Sequence, residues 1–113
     1  VGDTNYETLL ISWGSNYEVI KEAIKDISGV ALLHFSQVYP LHKETKKILE
    51  SSKELVIFEN NATGQFANLL LLETGINIIN RELKYDGMPF TVEEIKIRIK
   101  KYISNEVVLW VKE

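Results

Sequence analysis

The run Leu55-Val56-Ile57-Phe58 gives way within two residues to Glu59-Asn60-Asn61-Ala62-Thr63-Gly64-Gln65, and a helical pattern, Phe66-Ala67-Asn68-Leu69-Leu70-Leu71-Leu72, follows at once. An unbroken apolar run of this length reads as a strand buried on both faces. Such a strand needs helices above and below its sheet, which confines the chain to an α/β architecture. The polar cluster then marks the carboxyl end of the strand and the start of the next helix. In open α/β sheets that edge is where ligands and partners meet the fold.

The same alternation recurs along the chain. Thr8-Leu9-Leu10-Ile11-Ser12-Trp13 is rich in β-formers and stops at Gly14, so it reads as a first buried strand. Ser15-Asn16-Tyr17-Glu18 fits a capping box ahead of a helix carrying Val19, Ile20, Ala23, Ile24 and Ile27, with Gly29 closing it. Val30-Ala31-Leu32-Leu33-His34-Phe35 is the second strand, and it runs into Gln37-Val38-Tyr39-Pro40, where Pro40 ends pairing. A short helix is predicted over 44–50, a third strand over 55–58 and a helix over 63–73, with Gly75 as its C-cap. A fourth, less continuous strand is predicted over 76–83. Thr91-Val92-Glu93-Glu94 is a second capping box, opening a helix through Ile95, Ile99 and Tyr102. The segment 106–111, Trp110 included, reads as a final strand or as a tail docking on a neighbour. Strands separated by helices at this spacing imply βαβ crossovers and a mostly parallel sheet. Residues 1–113 read as a single domain, since no repeat, low-complexity tract or interior linker interrupts them.

Composition narrows the function classes. A formal charge of −3 with acids and bases interspersed lacks the clustered basic face of a nucleic-acid binder. No apolar run is long enough to cross a bilayer, and Val1-Gly2-Asp3-Thr4-Asn5 lacks the basic and apolar regions of a signal peptide, so a cytoplasmic location is expected. With no cysteine, these residues supply no disulfide, thiolate-held zinc or cysteine-ligated iron–sulfur cluster.

Two strand-end segments are candidates for contact. Gly14, Ser15 and Asn16 follow a strand and open a helix, either as a plain capped start or as amides free to hold a phosphate. They lack the further glycines of a dinucleotide loop and the lysine of a P-loop. Glu59, Asn60, Asn61, Thr63, Gly64 and Gln65 have the same two readings. In one, Asn60 or Asn61 caps the helix and Gly64 lets it pack closely; in the other, the polar groups face a ligand or a subunit. His34 and His42 read as structural histidines, because no carboxylate or serine is spaced to complete a triad and no His-x-x-x-His pair exists for a metal. Trp13 and Trp110 read as packing residues, and Asp86-Gly87 as a turn stiffened by Pro89.

Four segments in register carry a family resemblance: Ser12-Trp13-Gly14-Ser15, Gln37-Val38-Tyr39-Pro40, the segment from Glu59 through Gln65, and Lys84-Tyr85-Asp86-Gly87-Met88-Pro89-Phe90-Thr91. Together they span about residues 9–102. The chain resembles the C-terminal domain of the α subunit of 2-oxoacid:ferredoxin oxidoreductases of the 2-oxoglutarate or broad 2-oxoacid type. The resemblance implies a three-layer α/β/α sandwich like the C-terminal domain of transketolase, around a mostly parallel, five-stranded mixed sheet with one antiparallel strand. For the whole enzyme it implies conversion of a 2-oxoacid, coenzyme A and oxidised ferredoxin to acyl-CoA, carbon dioxide and reduced ferredoxin. That chemistry uses thiamine diphosphate, Mg²⁺, iron–sulfur clusters and coenzyme A.

These residues depart from a complete enzyme of that kind. The Gly-Asp-Gly of thiamine enzymes is matched only by Gly2-Asp3, which Thr4 follows, and the pair Asn60-Asn61 lies far from it. No cofactor is therefore expected on this domain, and no catalysis from it alone. The expected role is a brace for the rest of the α subunit and the β subunit, with the carboxyl-edge residues Gly14, Ser15, Asn16, Tyr39, Pro40, Glu59, Asn60, Asn61, Thr63, Gly64 and Gln65 as candidates for interface or ligand contact. Ferredoxin is the expected partner of the whole enzyme, with neither nucleic acid nor membrane involved. The rival readings are the equivalent domain of another thiamine enzyme, such as a 2-oxoacid dehydrogenase β subunit or transketolase, and a free-standing module for a nucleotide or coenzyme A.

Overall fold

Apolar runs at 8–13, 30–35 and 54–59 bury alternate side chains on opposite faces of one sheet. A computed structural model describes residues 6–35 and 44–103. Among these, the strands are β1 (Thr8–Trp13), β2 (Val30–Phe35), β3 (Glu54–Glu59) and β4 (Asn80–Leu83). The helices are α1 (Tyr17–Ile24), α2 (Thr45–Glu50), α3 (Gln65–Thr74) and α4 (Val92–Ile99), with a single 3₁₀ turn, Gly14–Asn16, between β1 and α1. The four strands are parallel and ordered β2-β1-β3-β4. The register sets Ser12 beside His34, Trp13 beside Phe35 and Glu59 beside Leu83.

Leu10, Val56 and Phe58 point to one face, where they meet Ile20, Ala23 and Ile24 of α1 and Ile95 and Ile99 of α4. Leu9, Ile11 and Ile57 point to the other, against Leu49 of α2 and Phe66, Ala67 and Leu70 of α3. The result is three layers, helices on both sides of the sheet. The strand order has a consequence for function. From β1 the chain moves outward to β2, then crosses back beyond β1 to β3 and continues outward to β4. Progress along the sheet therefore reverses between β1 and β3, and the loops leaving those two strands part at the switch point where α/β folds form crevices.

α4 is fastened by a buried carboxylate. Glu82 of β4 lies 4% exposed and accepts from Arg98 Nη1 at 3.1 Å, from Lys101 Nζ at 2.7 Å and from the Tyr102 hydroxyl. Burial alone would raise the Glu82 pKa, but hydrogen bonds from Lys101, Tyr102 and Arg98 hold it below the ordinary carboxylate range. The same burial and the Glu82 charge push the Tyr102 hydroxyl well above its usual value.

Several expectations change. The sheet has four parallel strands among the described residues, and these include no antiparallel fifth strand. β4 starts at Asn80 rather than Ile76, because Thr74 Oγ1 receives the Ile76 amide and Ile76 and Ile78 turn into the core as a loop. The capping box at Ser15 does not form: the chain leaves β1 as a 3₁₀ turn and enters α1 at Tyr17 with no side-chain cap. Gly29 lies beyond the end of α1 and instead offers its carbonyl to the Glu7 and Thr8 amides, tying the start of β2 to β1. The predicted box at Thr91 does form, with reciprocal bonds of 3.0 and 3.1 Å to Glu94. Gly75 caps α3 as expected, its amide on the Leu71 carbonyl. The segment 106–111 with Trp110, His42, and the Gln37-Val38-Tyr39-Pro40 segment lie outside the described residues. Among the described residues, no helix is long and apolar enough to cross a membrane.

Glu82→Gln should lower stability by about 2–3 kcal/mol at neutral pH, since it leaves two cations facing a neutral group. Because the Glu82 pKa is lower folded than unfolded, its contribution is complete above about pH 4.3 and disappears as pH falls through the depressed folded value. Urea denaturation of parent and variant at pH 7 and pH 3 checks both: the gap between the two proteins should be smaller at pH 3 than at pH 7.

Candidate functional site

All four strands point their carboxyl ends the same way, so the loops after β1, β3 and β4 share one edge. At the end of β3, Glu59 is fully buried. A carboxylate there needs donors, and the start of α3 supplies them. Its Oε1 accepts from the Phe66 amide at 2.8 Å and from Asn61 Nδ2 at 2.9 Å; its Oε2 accepts from the Ala67 amide at 2.9 Å. These are second- and third-position amides of the helix, which lack intrahelical partners and carry the positive end of its dipole.

Asn61 completes the arrangement. Its Oδ1 accepts from the Gly64 amide at 2.7 Å, the Thr63 amide at 3.1 Å and the Gln65 amide at 3.3 Å. Gly64 adopts φ +66°, a left-handed conformation that lets the chain reverse into α3. A Cβ at that position would also stand 2.9 Å from Arg81 Nη1. Arg81 lies across this turn, donating to the Ile78 carbonyl at 2.7 Å, Asn68 Oδ1 at 3.0 Å and Asn77 Oδ1 at 3.3 Å.

The capping reading of this segment holds for Asn61. Asn61 caps the helix, together with Glu59, which is turned inward and offers nothing to a ligand. Asn60, Thr63 and Gln65 are exposed on the rim, and Gly64 is buried beneath them. The amides from Gly64 to Ala67 all have acceptors within the chain, so the start of α3 is filled by the protein's own side chains.

At the end of β1, Gly14 and Ser15 are exposed, while Asn16 is buried. Next to them the register brings together a pair that sequence reasoning did not join: Ser12 Oγ lies 2.8 Å from His34 Nδ1. Both stand one residue before their strands end, and a parallel β1–β2 register with Thr8 against Val30 is the signal that would have paired them. The Tyr17 ring packs on His34 at 5.0 Å. Burial lowers the His34 pKa below the usual imidazole range, against a smaller opposing effect of a hydrogen bond with the Gly14 backbone. Ser12 and Tyr17 thus hold the His34 ring in place, and burial favours its neutral form.

Trp13 faces the other side, its ring 5.8 Å from Phe66, which stands edge-on to Phe35 at 4.9 Å. Its packing role is confirmed, yet 37% of the indole remains exposed at the edge. The loop after β4 joins the same edge through a bond from the Lys84 amide to the Glu59 carbonyl at 2.9 Å. Tyr39 and Pro40 lie outside the described residues.

No protein-family model matches the chain. It is similar to α subunits of 2-oxoacid:ferredoxin oxidoreductases: 30% identical over 109 residues to that of Saccharolobus solfataricus and 28% over 106 residues to that of Sulfurisphaera tokodaii. Each match covers 92% of this chain, and the chain spans about 17% of the length of these curated relatives. Among solved structures, the alpha chain of a probable 2-oxoacid ferredoxin oxidoreductase from Thermoplasma acidophilum is 31% identical, with a TM-score of 0.60 over 89% of this chain and 91% of that one. The 2-oxoglutarate:ferredoxin oxidoreductase of Magnetococcus marinus, with 2-oxoglutarate, coenzyme A and succinyl-CoA bound, shares the fold at a TM-score of 0.77 and 24% identity, over 89% of this chain and 18% of that chain.

Glu59→Ala should destabilise the chain by about 2–3 kcal/mol by leaving two buried amides without acceptors. Glu59→Gln, which keeps one acceptor oxygen, should cost about half as much in thermal unfolding. The His34 imidazole should titrate below about 6.5 by ¹H–¹⁵N NMR. Since the folded state favours its neutral form, stability should begin to fall as pH drops through the unfolded histidine value.

Proposed function

Because the chain belongs to the 2-oxoacid:ferredoxin oxidoreductases, as a domain of the α subunit, we propose that it is a non-catalytic brace, the C-terminal domain around which the rest of that subunit and the β subunit assemble. The reaction proposed for the whole enzyme joins a 2-oxoacid, coenzyme A and oxidised ferredoxin to give acyl-CoA, carbon dioxide and reduced ferredoxin. Thiamine diphosphate with Mg²⁺ supplies the carbanion chemistry in such an enzyme, and iron–sulfur clusters take up the electrons. The described residues do not fit a diphosphate at the start of α3, because the Glu59 carboxylate already sits on the amides that an anion would take. On this reading the domain itself takes no step of the chemistry.

The observation that carries the reading is the internal saturation of the Glu59–Asn61–Gly64 turn. Its buried polar groups hold the edge rigid, while Asn60, Thr63 and Gln65 remain on the surface beside the exposed flank of Trp13 and Gly14-Ser15. A rigid edge with exposed amides and one half-packed indole suits a protein contact, where ordering costs little. The same carboxylate counts against a free-standing module for a phosphate-bearing ligand. The likeness of the fold to the transketolase C-terminal domain and a cytoplasmic location belong to this proposal.

The proposal is tested in the complete α subunit co-expressed with its β partner. Asn60→Ala combined with Gln65→Ala should leave folding unchanged and weaken assembly by roughly tenfold, the effect of about 1.4 kcal/mol. Complex size and coenzyme-A-dependent reduction of an electron acceptor by 2-oxoacids are the readouts. Deleting the whole domain should abolish both; an intact, active complex without it would refute the bracing role.

A further inference from the structure

Among the aspartates and asparagines of the chain, Asp86 alone precedes a glycine. With no Cβ on the following residue, nothing crowds the peptide nitrogen that could close on the carboxyl carbon. The loop between β4 and α4 presents this pair openly. The Asp86 side chain is 63% exposed, and a Cβ placed on Gly87 would meet no heavy atom within 4 Å. Asp86 Oδ1 accepts the Met88 amide at 3.0 Å, and Gly87 turns the chain at φ +84°. The ring closed by that bond contains Cγ, Cβ, Cα and C of Asp86 and the nitrogen of Gly87, so the carboxyl group is curled back over the Gly87 peptide. Among the described residues, the Gly87 amide has no acceptor of its own. The ends of the loop are anchored: the Lys84 amide bonds to the Glu59 carbonyl and its ammonium to Glu94, while Phe90 is buried edge-on to Phe58. A free nucleophilic nitrogen and a carboxyl carbon therefore lie together in an open turn between fixed points.

We propose that Asp86 and Gly87 form a site of spontaneous backbone modification, at which the folded turn converts aspartate to isoaspartate. The Gly87 nitrogen attacks Asp86 Cγ: an N–Cγ bond forms, a Cγ–O bond breaks, and the amide proton leaves with the carboxyl hydroxyl as water. Water then opens the resulting succinimide ring. Attack at Cγ restores aspartate, whereas attack at the main-chain carbonyl carbon of Asp86 gives isoaspartate, whose main chain runs through Cβ. The sequence of steps consumes and releases only water. Its product carries an extra backbone carbon between Lys84 and Phe90 and lacks the side-chain carboxyl that accepts the Met88 amide, so the loop changes shape between anchors that stay in place. Asp26 supplies an internal control. It is exposed too, but Ile27 after it is branched at Cβ and donates its amide to the Ile24 carbonyl at 3.0 Å.

The test is to hold the complete α subunit for weeks near neutral pH in water enriched in heavy oxygen, both folded and in urea. Each opening of the ring places one heavy oxygen on the residue, and peptide mass spectrometry reads the label and the isomer together. In the folded protein, label and isoaspartate at position 86 should accumulate within about threefold of the rate in urea, because the turn already holds the reacting atoms together. Asp26 should react more slowly than Asp86 by about tenfold, since its amide must first be released by local opening. Asp86→Glu keeps the carboxylate but lengthens the ring to be closed, and should remove the signal. A folded rate about tenfold or more below the unfolded one would overturn the proposal, for the turn would then guard the carboxyl. Equal labelling of Asp26 and Asp86 in the folded protein would overturn it as well. None of these readouts involves subunit assembly, so the result stands apart from the bracing role.

Discussion

The carboxylate of Glu59 is the constraint on which the carboxyl edge depends. It ends a fully buried strand in a place where an unpaired charge would be untenable, and the unbonded amides of α3 are equally costly without acceptors. Each group satisfies the other: a charge-assisted pair of bonds on Phe66 and Ala67 fixes the helix start against the strand end, with the helix dipole aligned to favour it. Asn61 is then positioned by its own bond to Glu59 to collect the preceding amides, and Gly64 supplies the reversal. The backbone carbonyl of Glu59 meanwhile receives Lys84, so one residue ties together the loops that follow β3 and β4.

A second buried carboxylate does a related task on the opposite face. Glu82 pairs in register with Phe58, one step before Leu83 meets Glu59, and the two acids project to opposite sides of the sheet because alternate strand positions do so. Glu59 holds α3 through backbone amides, and Glu82 holds α4 through Arg98, Lys101 and Tyr102. Most of the remaining contact between helix and sheet is apolar packing, which is strong but non-directional, with Arg81 of β4 adding a bond to Asn68 of α3. The two acids add direction: they set where each helix sits along the strands, and hence where its adjoining loop emerges at the edge. Between them the aromatic contacts of Trp13, Phe66 and Phe35 close the switch point while leaving part of the indole in water.

Within the family to which the chain belongs, this gives the domain a consistent character. Its polar strand-end groups are internally bonded, its loops are braced, and what it shows at the rim is a few amides and apolar side chains. That constitution is what the bracing role proposed for the domain asks of its surface.

The amino-acid sequence by itself determined β1 to β3, helices on both faces of the sheet, the Gly75 cap of α3 and the capping box of α4, but not the start of β4. Thr8–Trp13 and Val30–Phe35 have the bounds expected of them because each largely apolar run meets a glycine at one end, Gly14 after β1 and Gly29 before β2. The Thr91 box formed as read, whereas at Ser15, with the same spacing to Glu18, the chain leaves β1 as a 3₁₀ turn and no side chain caps α1. Only the tertiary structure decided which polar residues face inward. Glu59 was one of several polar groups that could face a ligand or a subunit and is fully buried; Ser12 and His34 lie 22 positions apart and are bonded; Lys84 was part of a motif and bonds to Glu94 of α4. Local pattern specifies an element and its period, but the partner of a charged side chain is chosen by register and helix position. Those depend on contacts between residues distant in sequence, and no local pattern contains them.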